Sequence, residues 1–184
     1  MKEIPEMERD PQSVDENDLR TRLSGKYMTF KLSKEEYGLE ILKVRDVIGL
    51  MEITRVPKTS DYIRGVINLR GKVIPVVDLK VKFGMDPIDL AEQTVIIVVQ
   101  FPSGDHKLTM GILVDEVLEV LDIPAGQIEP PPHFGKEGID TDFILGVGRS
   151  EERIIFLLDI GKVLSEGADP ALMEITKHAS SRES

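Results

Sequence analysis

The sequence predicts a mainly β protein composed of small barrels, and three features of the chain support this prediction. Short runs rich in Val, Ile and Leu are separated by Gly, Pro, Asp and Ser, which is the pattern of small all-β folds. Apolar residues make up 41% of the 184 residues and aromatic residues only 5%, so the core must be aliphatic. The two halves of the chain also resemble each other, which predicts two similar barrels side by side.

The strand predictions follow the alternation and the β-branched content of each run. Polar and apolar residues alternate over 27–32, which is typical of a half-buried strand. The next run, 37–50, returns with many β-branched residues. The remaining strands are predicted at 52–56, 66–69, 72–77, 94–101, 107–114, 116–121 and 153–158.

Helices are expected to be few and short, because each follows a polar residue that can cap its first turn. A capped turn is predicted at 61–64 after Ser60, and helices are predicted at 79–83 after Asp78, 160–165 after Asp159 and about 170–178 after Asp169. In the last of these, Pro170 stands at the first helical position, which favours proline.

Three segments are predicted to lie outside these elements. Residues 1–24 hold seven acidic and four basic side chains without a periodic apolar face, which predicts a disordered acidic tail. Residues 84–93 are expected to connect two lobes. Residues 129–142 are expected to form a long loop, since three consecutive prolines cannot donate to a β ladder.

The internal repeat depends on matched Gly, Pro and Asp landmarks. When Gly65 is placed on Gly146, VIPVVDL falls on IIFLLDI without a gap, and Lys72 falls on Arg153. When Gly38 is placed on Gly111, LEILKVRDV falls on ILVDEVLEV. Between these anchors the second copy is eight residues longer. The first predicted lobe spans about 26–84 and the second about 94–164.

Composition and charge exclude several classes of function. The formal net charge is −10, which argues against a nucleic-acid groove or an anionic membrane surface as partner. There is no Cys, so disulfides and zinc–thiolate sites are excluded. The longest apolar run, VIIVV, is too short to cross a bilayer, and the first residues lack the apolar core of a signal peptide. A soluble cytoplasmic protein without membrane insertion is expected.

No catalytic or metal-binding pattern stands out. His106, His133 and His178 have no second His or carboxylate at ligand spacing, so neither a metal nor a cofactor is expected. The segment GVGRS contains only Gly-x-Gly, which is weak evidence for a phosphate loop. The prediction is therefore a protein that is not an enzyme.

The most specific signal is YIRGVINLRGKVIPVVDL, residues 62–79. Together with EEYGLEILKVRDVIG and GILVDEVLEVLDI, it resembles the CheW family, the adaptors of bacterial chemotaxis arrays. The resemblance runs in order through 26–175. It implies two five-stranded SH3-like barrels around a shared core. It also implies a scaffold that couples the cytoplasmic tip of chemoreceptors to the histidine kinase CheA, through the kinase's own CheW-like regulatory domain, in membrane-anchored arrays.

The resemblance implies roles for individual residues. Val44, Asp46 and Val47 match the kinase-binding strand of the family, although ordinary strand alternation also explains the two valines. Arg70 matches a characteristic arginine of the family and is expected to pair with Asp46. The alternative for Arg70 is a solvated turn charge.

A second group is implied to contact receptors or to shape the scaffold. Ile41 and Val95 match positions that line the receptor groove between lobes, with core packing as the alternative. Gly65 and Gly71 allow tight backbone geometry, and Pro75 is expected to mark an edge or a bulge of its strand. Arg64 is expected to be a charged surface residue without a further role.

Two other functions remain to be compared with the adaptor. A CheV-like adaptor would carry a receiver domain after the barrels, for which the roughly 20 residues after the last predicted strand are too few. A ligand-binding barrel would need convergent polar groups in the groove, and the sequence places none there.

Overall fold

The computed structural model describes residues 16–131 and 143–165. Within them the chain forms eleven strands, three α-helices and two 3-10 turns. The strands are β1 (Gly25–Leu32), β2 (Glu35–Glu40), β3 (Val44–Gly49), β4 (Ile63–Leu69), β5 (Lys72–Asp78), β6 (Val95–Ser103), β7 (His106–Val114), β8 (Glu116–Ile123), β9 (Ile128–Glu129), β10 (Ile144–Ser150) and β11 (Arg153–Leu158). The helices are α1 (Glu16–Leu23), α2 (Leu79–Lys82) and α3 (Ile160–Ser165), and the 3-10 turns are Ile41–Lys43 and Ala125–Gln127.

The strands form two sheets of similar construction, which confirms the mainly β prediction. One sheet has the order β8-β1-β2-β11-β10-β9, and the other has the order β3-β6-β7-β5-β4. We call them the six-stranded and the five-stranded sheet. Because β9 has only two residues, each sheet is essentially a group of five strands.

The two sheets do not coincide with the two halves of the chain. β1 and β2 pair with β8 and β11, whereas β6 and β7 pair with β3 and β5. The structure thus differs from the predicted lobes, 26–84 and 94–164, because each sheet takes a hairpin from the other half. This exchange buries the apolar strands of both halves in one shared core, which is larger than either half could form alone.

The register of the ladders confirms the internal repeat. Leu157 pairs with Gly38 where β11 runs parallel to β2, and Val76 pairs with Gly111 where β5 runs parallel to β7. These pairs occupy equivalent positions in the sequence alignment. The register shifts match as well, between Ile63 and Gly65 in one hairpin and between Ile144 and Gly146 in the other.

The main core lies between the two sheets. Phe30 and Leu39 of the six-stranded sheet and Ile97 and Ile112 of the five-stranded sheet are all fully buried within it. Tyr37 joins aromatic rings from several elements, with centroids 5.8 Å apart in each pair; its partners are Phe30, Phe83 and Phe156. The aliphatic core predicted from composition therefore has one aromatic cluster at the border of the sheets.

Within the predicted disordered tail 1–24, the helix α1 corrects the prediction for residues 16–23. Leu19 and Leu23 lie one turn apart, and they pack with Tyr27 on a smaller apolar cluster of the six-stranded sheet. The hydroxyl of Tyr27 donates a hydrogen bond of 2.6 Å to the carbonyl of Leu23. Residues 1–15, the segment 132–142 and the predicted helix at about 170–178 lie outside the described residues.

Two of the strand predictions also change, and one strand was not predicted. The run 37–50 is interrupted by the 3-10 turn Ile41–Lys43, where the chain leaves one sheet for the other. The predicted strand 52–56 reduces to a single bridge between Thr54 and Val66. The segment GVGRS belongs to β10, whose place the repeat indicated through the alignment of Gly146 with Gly65.

Candidate functional site

The residues predicted to bind the kinase lie on β3, at one edge of the five-stranded sheet. In the described part of the chain β3 pairs only with β6, so one side of its backbone has no partner strand. A register shift between Val44 and Asp46 bends the strand. An edge strand that exposes backbone and side chains is a surface on which another β domain can dock.

The predicted pair of Asp46 and Arg70 is brought together by the fold. A guanidinium nitrogen of Arg70 lies 3.4 Å from a carboxylate oxygen of Asp46, across 24 residues of sequence. The side chain of Arg70 is 80% exposed and that of Asp46 is 31% exposed. A pair so open to water stabilises the fold by only about 0.2–1 kcal/mol, so its main effect is to order the two charges at the surface.

The two valines of this strand lie on one face but differ in exposure. Because of the register shift, Val44 and Val47 stand opposite residues 99 and 97 of β6, which share a face, whereas Asp46 stands opposite residue 98 and lies on the other face. Val44 is half-buried against the main core, whereas Val47 is 37% exposed. The other carboxylate oxygen of Asp46 accepts a hydrogen bond from the amide of Val47, 2.9 Å long. Of the two, Val47 is therefore the one with more apolar surface to offer a partner.

Ile41 and Val95, the predicted receptor contacts, are not adjacent. Ile41 lies in the 3-10 turn that precedes Val44, and Val95 begins β6 opposite Gly49. They therefore occupy opposite ends of the β3–β6 ladder, about 15 Å apart along the strand direction. Both are half-buried, and Val95 packs against the main core.

The two predicted scaffold positions require glycine for different structural reasons. Gly71 has a φ of +87° and follows Arg70, whose φ is +54°, as a type I′ hairpin turn between β4 and β5 requires. Gly65 lies within β4 with a φ of +144°. A Cβ atom there would lie 2.2 Å from the carbonyl oxygen of Thr54, so the bridge to Thr54 needs glycine at this position.

Pro75 corrects the expectation of an edge or a bulge. It is buried in β5, which lies between β7 and β4 and is not an edge strand. Its partner Val66 forms hydrogen bonds to Thr54 through both its amide and its carbonyl. Val66 and Pro75 are therefore a non-hydrogen-bonded pair of the ladder. The ladder of β5 with β7 begins only at Val76, and a proline therefore fits without a lost hydrogen bond.

Arg64 also differs from its prediction as a plain surface charge. Its guanidinium donates to the buried carboxylate of Asp78 at 3.1 Å and to the carbonyl of Ile88 at 2.6 Å. Asp78 accepts two further bonds from the first turn of α2, as its predicted capping role requires, and one from the amide of Ile88. Arg64 thus fastens the connector 84–93 to β4 and β5.

The six-stranded sheet carries a cluster that the sequence prediction did not include. Arg153 donates to Glu36 at 2.6 and 2.9 Å and to Glu119 at 2.7 Å. Hydrogen bonds to Glu36 and then to Glu119 raise the pKa of the Arg153 guanidinium above its ordinary value. We call these three residues the ion-pair cluster. The repeat alignment could have located it, since it places Arg153 on Lys72 and Glu119 on Asp46.

A pair of equivalent sheets with an exposed edge strand is a class of structure that offers surfaces on which another β domain can dock. The model of the CheW-like domain family matches residues 26–168. Among the described residues, no helix is long and apolar enough to span a membrane.

Individual proteins that are similar to this chain support the same family. The chain is 42% identical over 139 residues to the chemotaxis protein CheW of Klebsiella aerogenes, covering 76% of this chain and 81% of that protein. It is 31% identical to the chemotaxis protein CheW of Bacillus subtilis, covering 77% and 87%. The crystal structure of the scaffolding protein TtCheW from Thermoanaerobacter tengcongensis superposes with a TM-score of 0.68 at 36% identity, covering 78% and 94%. This chain belongs to the CheW-like domain family and is a coupling adaptor of chemotaxis.

Proposed function

We propose that this chain binds the CheW-like regulatory domain of the histidine kinase CheA through β3 and the β4–β5 turn. In the same assembly it holds the cytoplasmic tip of chemoreceptors, so that the kinase and the receptors keep a fixed arrangement in a membrane-anchored array. The chain does this as a scaffold, without catalysing a reaction. The observation that carries the proposal is the pair of Asp46 and Arg70 on the exposed edge of the five-stranded sheet.

The chemistry of this edge suits a β domain as partner. Val47, which follows Asp46 on β3, and Val73, which follows the β4–β5 turn, offer apolar surface at 37% and 38% exposure. A docked domain can cover these valines and use Asp46 and Arg70 to fix its orientation. Charges at the border of an apolar contact contribute specificity more than affinity.

The receptor contact is proposed at Ile41 and Val95. Because these residues lie at opposite ends of the β3–β6 ladder, they suit an extended partner such as a helical receptor tip rather than a compact ligand. The kinase contact at Asp46 lies between them along the ladder. One adaptor can therefore contact both partners through a single pair of strands.

A charge exchange tests the kinase contact. Asp46→Lys places a second cation beside Arg70, and we expect binding of the isolated CheA regulatory domain, measured by titration calorimetry, to weaken at least tenfold, or about 1.4 kcal/mol. Asp46→Lys combined with Arg70→Glu restores a pair of opposite charges and should recover part of the loss. Recovery stays partial, because the partner also contacts these charges.

The matched control is Asp61→Lys. Asp61 is exposed just before β4, at the end of that strand opposite the β4–β5 turn, and the same charge change there should leave kinase binding intact. Full binding by Asp46→Lys would show that the kinase docks elsewhere. A double variant that binds no better than Asp46→Lys alone would remove the support for a functional pair.

A further inference from the structure

The chain passes from one sheet to the other at two equivalent points, which differ in their side chains. The first crossing is the 3-10 turn between β2 and β3, and the second is the single residue Asp115 between β7 and β8. The repeat places Leu42 of the first crossing on Asp115 of the second. The two crossings can therefore be compared position by position.

The second crossing is closed by polar contacts of Asp115. Its carboxylate accepts a hydrogen bond of 2.7 Å from the amide of Ser33 in the β1–β2 turn. The same carboxylate oxygen lies 3.8 Å from Nζ of Lys80 in α2. The backbone amide of Asp115 donates to the carbonyl of Lys31. Asp115 thus joins a hairpin turn and a helix to this crossing.

The first crossing has an apolar side chain at the equivalent position. Leu42 is 90% exposed and is the most exposed large apolar side chain of the described residues. A leucine side chain cannot form the hydrogen bond or the ion pair that Asp115 forms. A single exposed leucine is common at protein surfaces, so the surroundings decide whether it marks a contact.

A depression lies beside this crossing, between the 3-10 turn, the end of β6 and α3. Its lining residues include Lys43, Phe101, Pro102, Asp159, Gly161 and Lys162. One wall is high because the β6–β7 hairpin continues for two pairs beyond Phe101 and Leu108, whereas the β1–β2 hairpin ends at the equivalent pair, Leu32 and Glu35. The first crossing therefore has a concave surface next to its exposed leucine.

This depression and the one around Arg70 lie on opposite faces of β6. Gln100 lines the depression around Arg70, whereas Phe101 lines the one beside Leu42, and successive residues of a strand point to opposite faces. Ile41, a proposed receptor contact, directly precedes Leu42 in the 3-10 turn. The surface at Leu42 is therefore continuous with the proposed receptor contact and separate from the charged pair proposed to bind the kinase.

The charges of the depression favour an acidic partner. Lys43 comes from the 3-10 turn and Lys162 from α3. The carboxylate of Asp159 accepts a hydrogen bond of 3.2 Å from the amide of Lys162, so it serves the first turn of α3. The two lysines thus leave an excess of positive charge here, on a chain whose net charge is −10. Such a local positive site attracts carboxylates of a partner.

We infer that Leu42 binds an apolar side chain on a helix of the chemoreceptor tip, and that Lys43 and Lys162 bind an acidic side chain one turn further along that helix. On a helix, side chains three or four residues apart lie on one face, so one helix can present both groups. Leu42 is thus a specificity-determining residue of the receptor contact. This inference rests on the proposed function, because it extends the receptor contact at Ile41.

The first test replaces the apolar side chain in the full chain. Leu42→Asp removes the apolar contact and repels an acidic partner, so binding of a soluble fragment of the chemoreceptor tip, measured by titration calorimetry, should weaken at least about tenfold. Leu42→Met keeps a flexible apolar side chain and should bind within about threefold of the native chain. Both variants should bind the CheA regulatory domain within about threefold of the native chain, because Asp46 and Arg70 lie on the other face.

The second test reverses one charge of the depression. Lys162→Glu should weaken binding of the same receptor fragment at least about fivefold at low salt, and the loss should shrink in about 0.5 M sodium chloride. The matched control is Lys34→Glu, because Lys34 is exposed in the β1–β2 turn at the other crossing and the same charge change there should leave receptor binding intact. Equal losses in the two variants would overturn the proposed acidic contact.

Thermal unfolding of the free variants separates the other possible occupants of this surface. Leu42→Asp should leave Tm unchanged; a clear decrease would show that another part of this chain covers Leu42, which overturns the inference. Native receptor binding by Leu42→Asp, or an equal loss of kinase binding, overturns it as well. If Ile41→Ala or Val95→Ala weakens receptor binding while Leu42→Asp does not, only this inference fails. If none of the three weakens it, the proposed receptor contact itself fails.

Discussion

At the scale of single residues, Tyr27 and Tyr37 are the buried groups whose ionisation opposes folding. Burial, followed by the charge of Glu40, raises the pKa of Tyr27 to about 12. Burial, followed by the charge of Glu35, raises the pKa of Tyr37 to about 12. An unfolded tyrosine ionises near pH 10, so above that pH the unfolded chain loses these protons before the folded chain does.

The free energy of unfolding should therefore be constant below pH 10 with respect to these groups and should fall between pH 10 and 12. We expect a loss of about 1 kcal/mol for each tyrosine between pH 8 and pH 11, measured by urea unfolding. Tyr27→Phe removes one of the two contributions to that loss. It also removes the bond to the carbonyl of Leu23, at a cost of about 1 kcal/mol at pH 8. An alkaline loss of the same size in Tyr27→Phe would contradict the assignment.

Arg64 shows how a residue-scale prediction fails when it considers only the local sequence. Its charge in YIRGV is typical of an exposed strand residue, and nothing nearby in the sequence indicates a partner. Its partners are Asp78, 14 residues away, and Ile88, 24 residues away. Only the packing of the connector against β4 and β5 brings them together.

At the scale of elements, α1 is a short helix that depends on its contacts. An isolated helix of eight residues is not stable in water, because too few hydrogen bonds repay its nucleation. Leu23 is only 8% exposed, and its side chain lies against the six-stranded sheet near Gly146. The helix therefore persists because it covers an apolar end of that sheet.

Leu23→Ala should consequently reduce the free energy of unfolding by about 2–3 kcal/mol, from lost burial and the cavity that remains. The matched control is Leu42→Ala, since Leu42 is 90% exposed in the 3-10 turn and the same truncation there should cost less than about 0.5 kcal/mol. Urea unfolding measures both variants. Equal small effects would mean that α1 contributes nothing to the fold.

At the scale of the whole molecule, the exchange of hairpins makes each half of the chain depend on the other. The fragment 1–90 holds β1 and β2 but lacks the strands β8 and β11 on either side of that hairpin. The fragment 91–184 holds β6 and β7 but lacks β3 and β5. Neither fragment can complete a sheet or the shared core.

Expressed separately, fragments 1–90 and 91–184 should lack fixed tertiary structure, and mixing them should restore it. The break falls between Leu90 and Ala91, in the exposed part of the connector, so that Ile88 keeps its bonds to Arg64 and Asp78. Amide proton dispersion in NMR spectra measures the outcome. A well-dispersed spectrum from either fragment alone would show that a half folds independently.

Much of the structure around the proposed docking surface was predictable because its signals are local. The type I′ turn at Arg70 and Gly71 and the cap at Asp78 each depend on residues a few positions apart. The pairing of Asp46 with Arg70 came from the resemblance to the CheW family. The structure brings the two side chains to 3.4 Å.

The sequence by itself determined the mainly β class, the two related halves and their equivalent positions. Those properties follow from residue periodicity and from matched Gly, Pro and Asp, which can be compared without coordinates. Only the tertiary structure decided that β1 and β2 join β8 and β11, that α1 covers one sheet, and that Glu36 and Glu119 meet at Arg153. The physical reason is that both halves present similar apolar strands. Their pairing is therefore chosen by how all strands share one core, and no local pattern records that choice.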